Sequence, residues 1–100
     1  MRLVDLARII RSKNAGPLQV TVDLMFPGPT EFHRAAGSPG LAGDAIARLY
    51  GVAPDTVAVV PYPAAWAIKI VIDRPVVAGS PGDRDVYGAQ QHKLLLEVEL

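Results

Sequence analysis

Apolar residues near the N-terminus repeat with the spacing of a helix. Four of them fall at positions i, i+3, i+4 and i+7: Leu3, Leu6, Ala7 and Ile10. This spacing places them on one side of a helix and predicts an amphipathic helix over residues 3–13. The predicted helix ends at residues 14–17, because Asn and Gly accept the left-handed cap conformation and Pro cannot continue a helix.

The period changes to two in the next segment. Residues 18–26 alternate between apolar and mostly polar side chains, which predicts a half-buried strand. The Pro-Gly-Pro sequence at 27–29 ends this strand, and a short helix over 30–36 follows, with Thr30 as its N-cap. Helical spacing returns over 41–50, and Gly51 closes that helix.

The second half of the chain has the pattern of strands. Residues 56–60 are mostly β-branched or apolar, and residues 66–73 alternate, so a hairpin through 61–65 is the economical interpretation. After a long polar segment, residues 94–100 alternate again and predict a last strand.

These elements predict an α+β fold, a two-layer sandwich. We expect roughly four strands in a mainly antiparallel sheet, about three helices packed on one face, and a long polar loop before the last strand. The other sheet face would carry polar side chains: Gln19, Thr21, Asp23, Lys69, Asp73, Glu97 and Glu99. We interpret Lys69 as a solvated residue paired with Asp23 or Asp73, and Tyr62 and Trp66 as core or hairpin packing.

Composition narrows the class of protein. Residues 1–100 are half hydrophobic and carry ten basic and ten acidic residues, which indicates one soluble globular domain. The cations are scattered, so the chain lacks the basic field that attracts nucleic acid. We therefore expect no nucleic-acid partner. There is no cysteine and no apolar run long enough to span a bilayer, so we expect a cytoplasmic protein without a membrane partner.

The segment from Arg74 to His92 is the most informative part of the chain. Almost all of its side chains are polar, small or turn-forming, and connections of this length in compact domains usually indicate a function, a binding arm or disorder. We interpret it as an ordered binding loop. Its candidate binding residues are Arg74, Ser80, Asp83, Asp85, Tyr87, Gln90, Gln91 and His92.

A second candidate lies at residues 11–14. Arg11 and Lys13 either complement the negative end of the predicted helix, or form with Asn14 a cationic corner that binds a carboxylate or phosphate.

Catalytic chemistry has weak support. His92 could transfer protons near neutral pH, with Asp83 and Asp85 as further candidates, but the sequence supplies no nucleophile. Two aspartates at this spacing could hold a divalent cation, but the next acidic or amide ligand and the following glycine of a calcium loop are absent, so no metal is expected. No glycine-rich nucleotide motif is present, and no cofactor is predicted.

Together, the segments at 11–17, 47–52 and 79–92 resemble an uncharacterised family of small proteins of about this length, described as a domain of unknown function. Members of that family often occur beside, or fused to, proteins of the acyclic terpene utilisation family, which are linked to acyl-CoA and organic-acid catabolism. The resemblance implies a companion subunit, and it implies no established catalytic residue. Its signature positions here are Arg11, Lys13, Asn14, Asp83, Asp85, Tyr87, Gln90, Gln91 and His92.

Three functions follow as hypotheses. The leading one is an accessory subunit that assembles with a larger metabolic protein, with the corner at 11–14 and the loop at 74–92 as one contact surface. The alternative is a small enzyme or anionic-ligand-binding protein that acts as a homo-oligomer. The third is structural self-association through the open sheet face or the loop.

Overall fold

A computed structural model describes residues 1–15, 18–73 and 95–100. The elements follow one another as α1 (Leu3–Leu6), β1 (Ile9–Asn14), β2 (Gln19–Met25), α2 (Pro29–Ala36), α3 (Gly43–Tyr50), β3 (Ala58–Tyr62) and β4 (Ala67–Asp73). Single 3₁₀ turns lie at Pro39–Leu41, Pro54–Thr56 and Pro63–Ala65.

The four strands form one sheet in the order β1-β2-β4-β3, and every neighbouring pair is antiparallel. The predicted α+β fold with a four-stranded antiparallel sheet and three helices is therefore confirmed. The strand pattern explains it. β4 buries every second side chain, and β2 does the same except that Thr21, on the opposite side, is buried as well, so both strands need a covering layer on their apolar side.

The inner face of the sheet carries the core. Its central side chains are fully or almost fully buried, and they are Val20, Val22, Leu24, Ile68, Ile70 and Ile72. Phe32 of α2 and Ile46 of α3 belong to the same apolar cluster, as do Leu3 and Leu6 of α1. The helices thus cover the inner face and leave the opposite face, which we call the outer face, to the strands alone in the described ranges.

The predicted helix over 3–13 is wrong beyond Leu6. Residues Ile9–Asn14 form β1, which pairs with β2 in a hairpin from Ile9↔Met25 to Asn14↔Val20. The first turn of the pattern is helical and buries Leu3 and Leu6. From Ile9 onward a ladder to an already stable strand outweighs the helical spacing, because isolated short helices are marginal and β-branched residues favour strands.

The predicted last strand over 94–100 is also wrong for its described residues, 95–100. Leu95 is buried in the core and begins a turn, and Glu99 forms an isolated bridge with Arg2. Glu97 and Glu99 therefore do not lie on the sheet. Glu97 accepts a hydrogen bond from Arg2 at 2.9 Å, and Glu99 accepts one from the N-terminal amine at 3.0 Å.

The other boundaries shift by a few residues. The second helix begins at Pro29 after Gly28, so Thr30 lies inside the helix and is not its N-cap. The third begins at Gly43 and ends, as predicted, at Gly51, whose φ of 68° is the left-handed cap conformation. The predicted hairpin is confirmed as β3 and β4, with Trp66 in the left-handed region at φ 48°.

No helix of the described residues is both long and apolar enough to cross a membrane.

Candidate functional site

The outer face is the surface that the fold leaves without a covering helix in the described part of the chain. Cross-strand partners lie on the same side of a sheet, so the register assigns its residues directly. They are Ile9, Arg11, Lys13, Gln19, Thr21, Asp23, Met25, Ala58, Val60, Tyr62, Ala67, Lys69, Val71 and Asp73.

These residues form rows that run across the strands. The charged row, from β1 to β3, is Arg11, Asp23, Lys69 and Val60. The apolar row beside it is Ile9, Met25, Ala67 and Tyr62. On the other side of the charged row lies a mixed row of Lys13, Thr21, Val71 and Ala58.

Charges alternate along the charged row. The Arg11 Nε atom lies 3.7 Å from the Asp23 Oδ2 atom, and the Arg11 side chain is 63% exposed whereas that of Asp23 is 17% exposed. The Lys69 Nζ atom lies 5.9 Å from the centroid of the Tyr62 ring, a cation–π distance. Asp23 thus lies between two cations, and Lys69 between a carboxylate and an aromatic ring.

The apolar row presents large side chains to solvent at both of its ends. Ile9 is 36% exposed and Tyr62 is 47% exposed, and Val60 in the neighbouring row is 38% exposed. Tyr62 is therefore not a core residue, and of the predicted core or hairpin packing only the hairpin contact is found, opposite Ala67 and beside Lys69. Trp66 does pack, because its ring centroid lies 5.8 Å from that of Phe32. Exposed aliphatic and aromatic side chains beside charged ones are typical of surfaces that bind other proteins.

The sequence-predicted corner at 11–14 has a different structure from the one expected. Arg11, Lys13 and Asn14 lie on a strand and not at the end of a helix. Because side chains alternate along a strand, Arg11 and Lys13 share the outer face and Asn14 points to the opposite side. The corner therefore reduces to two cations at alternate positions of β1, both exposed.

The remaining predicted site residues lie outside the described residues: Arg74, Ser80, Asp83, Asp85, Tyr87, Gln90, Gln91 and His92. Their grouping with the residues of β1 stays a prediction.

Sequence reasoning left Asp23, Lys69, Met25 and Tyr62 out of the candidate site. The signal was present in the alternation of residues 18–26 and 66–73, which placed Asp23 and Lys69 on the polar face of their strands. Their closeness, however, depends on the pairing of β2 with β4, which sets Asp23 opposite Lys69.

Chemically, the outer face offers carboxylate, ammonium, guanidinium, hydroxyl and apolar groups on a broad surface. In the described ranges no group of three or more His, Cys, Asp or Glu side chains is placed to hold a metal ion. The mixture of groups suits contact with another protein surface, where apolar contacts contribute affinity and charges select the partner.

Comparison with known proteins gives one family. Neither the curated proteins nor the solved structures include a significant match to the chain. The family described as "Domain of unknown function (DUF4387)" matches residues 3–99. Because that match covers nearly the whole sequence, the chain belongs to this family of domains of unknown function.

Proposed function

We propose that this protein is an accessory interaction subunit that assembles with a larger metabolic protein in the cytoplasm. The observation that carries the proposal is the pair of exposed cations on β1, Arg11 and Lys13, at the rim of the outer face. The partner chemistry that fits this pair is a protein surface that carries carboxylates at a matching spacing.

The geometry of the two cations supports a protein partner. Alternate residues of a strand lie on one face and are separated by about 7 Å, so Arg11 and Lys13 address two anionic groups at once. The guanidinium of Arg11 has five donors, and its contact with Asp23 at 3.7 Å uses one edge of the group. An Arg that is already oriented by a carboxylate loses less side-chain entropy when it binds a second one.

The family resemblance supports a specific class of larger protein. Similar sequences occur beside or fused to acyclic terpene utilisation proteins, so the partner that we propose is a protein of that kind, acting in acyl-CoA or organic-acid catabolism. Residues 74–92 remain the second predicted part of the contact.

Co-expression tests the proposal. We expect the domain and an acyclic-terpene-utilisation protein to elute together on a sizing column at micromolar concentration. Reversal of both cations, Arg11→Glu with Lys13→Glu, should weaken the complex at least tenfold, because like charges then meet across the contact. Arg34→Glu with Arg48→Glu is the matched control, since both are exposed cations in the helical layer, on α2 and α3, and the change in net charge is the same. Clean separation of the two wild-type proteins would contradict the proposal.

The alternative function is binding of a small organic anion, such as an acyl-CoA thioester, with the same two cations as its ligands. Calorimetry with the domain alone distinguishes the two functions. Binding of such anions that Arg11→Ala abolishes would favour the alternative, and heat of binding that appears only with the larger protein would favour the accessory subunit.

A further inference from the structure

We propose that the centre of the outer face binds a second copy of this chain, face to face, about a two-fold axis that runs parallel to the strands between β2 and β4. This inference goes beyond the proposed function. The dimer also places Arg11 and Lys13 at the edge of its interface, so a second copy and the larger protein would compete for these two cations.

The first argument is the order of charges in the sheet. A two-fold axis along the strands places β2 of one copy over β4 of the other. Each row of one copy then faces the same row of the second copy, in reversed strand order. Asp23 then faces Lys69 of the second copy, and by symmetry Lys69 faces the second copy's Asp23. The two central charges thus form two intermolecular ion pairs, and an isologous contact of this kind closes at two subunits.

The second argument is that the remaining positions also match. The same operation places apolar side chains opposite each other in two further pairs, Met25 with Ala67 and Ile9 with Tyr62, and it sets the buried Thr21 opposite Val71. At the edges, Arg11 faces Val60, Lys13 faces Ala58, and Gln19 faces Asp73. No two like charges meet.

Two orientations about axes across the strands are less favourable. An axis across the strands, through the charged row, would bring Arg11, Asp23 and Lys69 each against its own copy. Moving that axis to the mixed row would bring the two Lys13 side chains together. Like charges in direct opposition disfavour an interface strongly. Of these three axes the charge order therefore favours the one along the strands, which is also the aligned arrangement that twisted sheets adopt when they stack about 10 Å apart.

The size of the face sets the expected affinity. Strands lie about 4.8 Å apart, so a four-stranded face is roughly 20 Å wide. The seven-residue central strands are roughly 23 Å long, so the face covers roughly 460 Å² per copy. This area is below the roughly 800 Å² per partner of a standard stable interface, so we expect a dimer that dissociates in the micromolar range.

Paired charge reversals test the inference. Asp23→Lys places lysines against lysines in a dimer of that variant, and Lys69→Asp places aspartates against aspartates. Each variant alone should dimerise at least tenfold more weakly than the wild type in sedimentation equilibrium. Mixed together, the two variants should form a heterodimer of about wild-type affinity, since both lysines of the first variant then face aspartates of the second. Asp55→Lys, an exposed site in the Pro54–Thr56 turn with the same change in charge, is the control and should dimerise normally.

Three results would overturn the inference: a wild type that stays monomeric to near-millimolar concentration, single variants that dimerise as well as the wild type, or a mixture that stays monomeric. Circular dichroism checks that the variants fold. If a reversal unfolds the chain, Asp23→Asn and Lys69→Gln replace it, and each should weaken dimerisation severalfold. A monomeric domain that still binds the larger protein would refute this inference and leave the proposed function intact. A dimer that does not bind the larger protein would support this inference and contradict the proposed function.

Discussion

The two faces of the same sheet are built from alternate residues of the same strands, yet they have opposite properties. On β4, Ile68, Ile70 and Ile72 are buried, whereas Lys69 and Val71 between them remain partly exposed. On β2 and β4 the inner face is uniformly aliphatic and is covered by helices, so its burial contributes free energy to folding. The outer face mixes charged with apolar side chains, so burial of this face against a partner would contribute free energy to association. Along the seven residues of β4, side chains that stabilise the fold thus alternate with side chains that are available for contact with a partner.

The largest expected effect compares neighbours on β4. Ile70→Ala removes a fully buried side chain and should lower the free energy of unfolding by about 2–5 kcal/mol, because it loses burial and leaves a cavity. Val71→Ala, on the outer face, should cost less than about 1 kcal/mol. Urea denaturation followed by circular dichroism measures both. Equal losses would show that the two faces do not differ in the way described.

A second prediction concerns the layer that closes the inner face. A Cβ atom at Gly40 would collide with the carbonyl oxygen of Glu99 and approach Val98 Cγ1 to 3.1 Å. Gly40→Ala should therefore displace the C-terminal residues and cost about 1–3 kcal/mol of unfolding free energy. Gly43→Ala is the control, because its nearest neighbour would be the Val57 carbonyl at an ordinary 3.9 Å. If both variants are as stable as the wild type, the C-terminal residues do not pack as the structure shows.

A third prediction uses pH to probe the helical layer. Burial raises the pKa of Tyr50 at the end of α3. A phenol whose pKa is higher in the folded state stabilises the fold below the unfolded pKa, about 10, and this contribution is lost as pH rises further. Stability should then fall by at most about 1.4 kcal/mol per pH unit above that value.

Two phenylalanine variants isolate this titration. Tyr50→Phe should flatten the alkaline decline in stability, whereas Tyr62→Phe, on the outer face, retains Tyr50 and should retain the decline. Denaturant titrations at pH 8 and in steps above about pH 10 measure the difference. Identical pH profiles for the two variants would argue against a buried Tyr50.

The smallest expected effect on stability lies in the charged row. Arg11→Ala breaks the 3.7 Å contact with Asp23, but the Arg11 side chain is 63% exposed, so the loss should be below about 1 kcal/mol and should shrink with added salt. Binding to the larger protein should nevertheless weaken. A large loss of stability with unchanged binding would assign Arg11 to the fold instead of the contact.

The sequence predicted correctly those strands in which apolar residues alternate with other residues in the same way as buried positions alternate with exposed ones. The alternation in residues 18–26 and 66–73 identified β2 and β4, because both are central strands with one aliphatic face. It did not identify β1, because the inner positions Ile10, Ser12 and Asn14 are mostly polar and an apolar repeat at helical spacing precedes them. An edge position in the described sheet tolerates such a sequence, so pairing with β2 decided its structure.

The candidate site was predicted only in part, because strand pairing also decides which of its residues are neighbours. Arg11 and Lys13 were recognised as a cationic pair, but a helix would have placed them differently from the strand on which they lie. The neighbours Asp23 and Lys69 are separated by 46 positions along the chain and meet only through the β2–β4 register. No local pattern contains that information.

The most direct test of the outer face as an association surface observes both faces at once. Methyl NMR spectra of the domain, recorded from low micromolar to near-millimolar concentration, resolve outer-face methyl groups of Ile9, Met25 and Val71 from inner-face methyl groups of Val22 and Ile70. We predict concentration-dependent shifts at the outer-face methyl groups while those of the inner face stay constant. Unchanged spectra, or shifts confined to the inner face and the helices, would contradict the account.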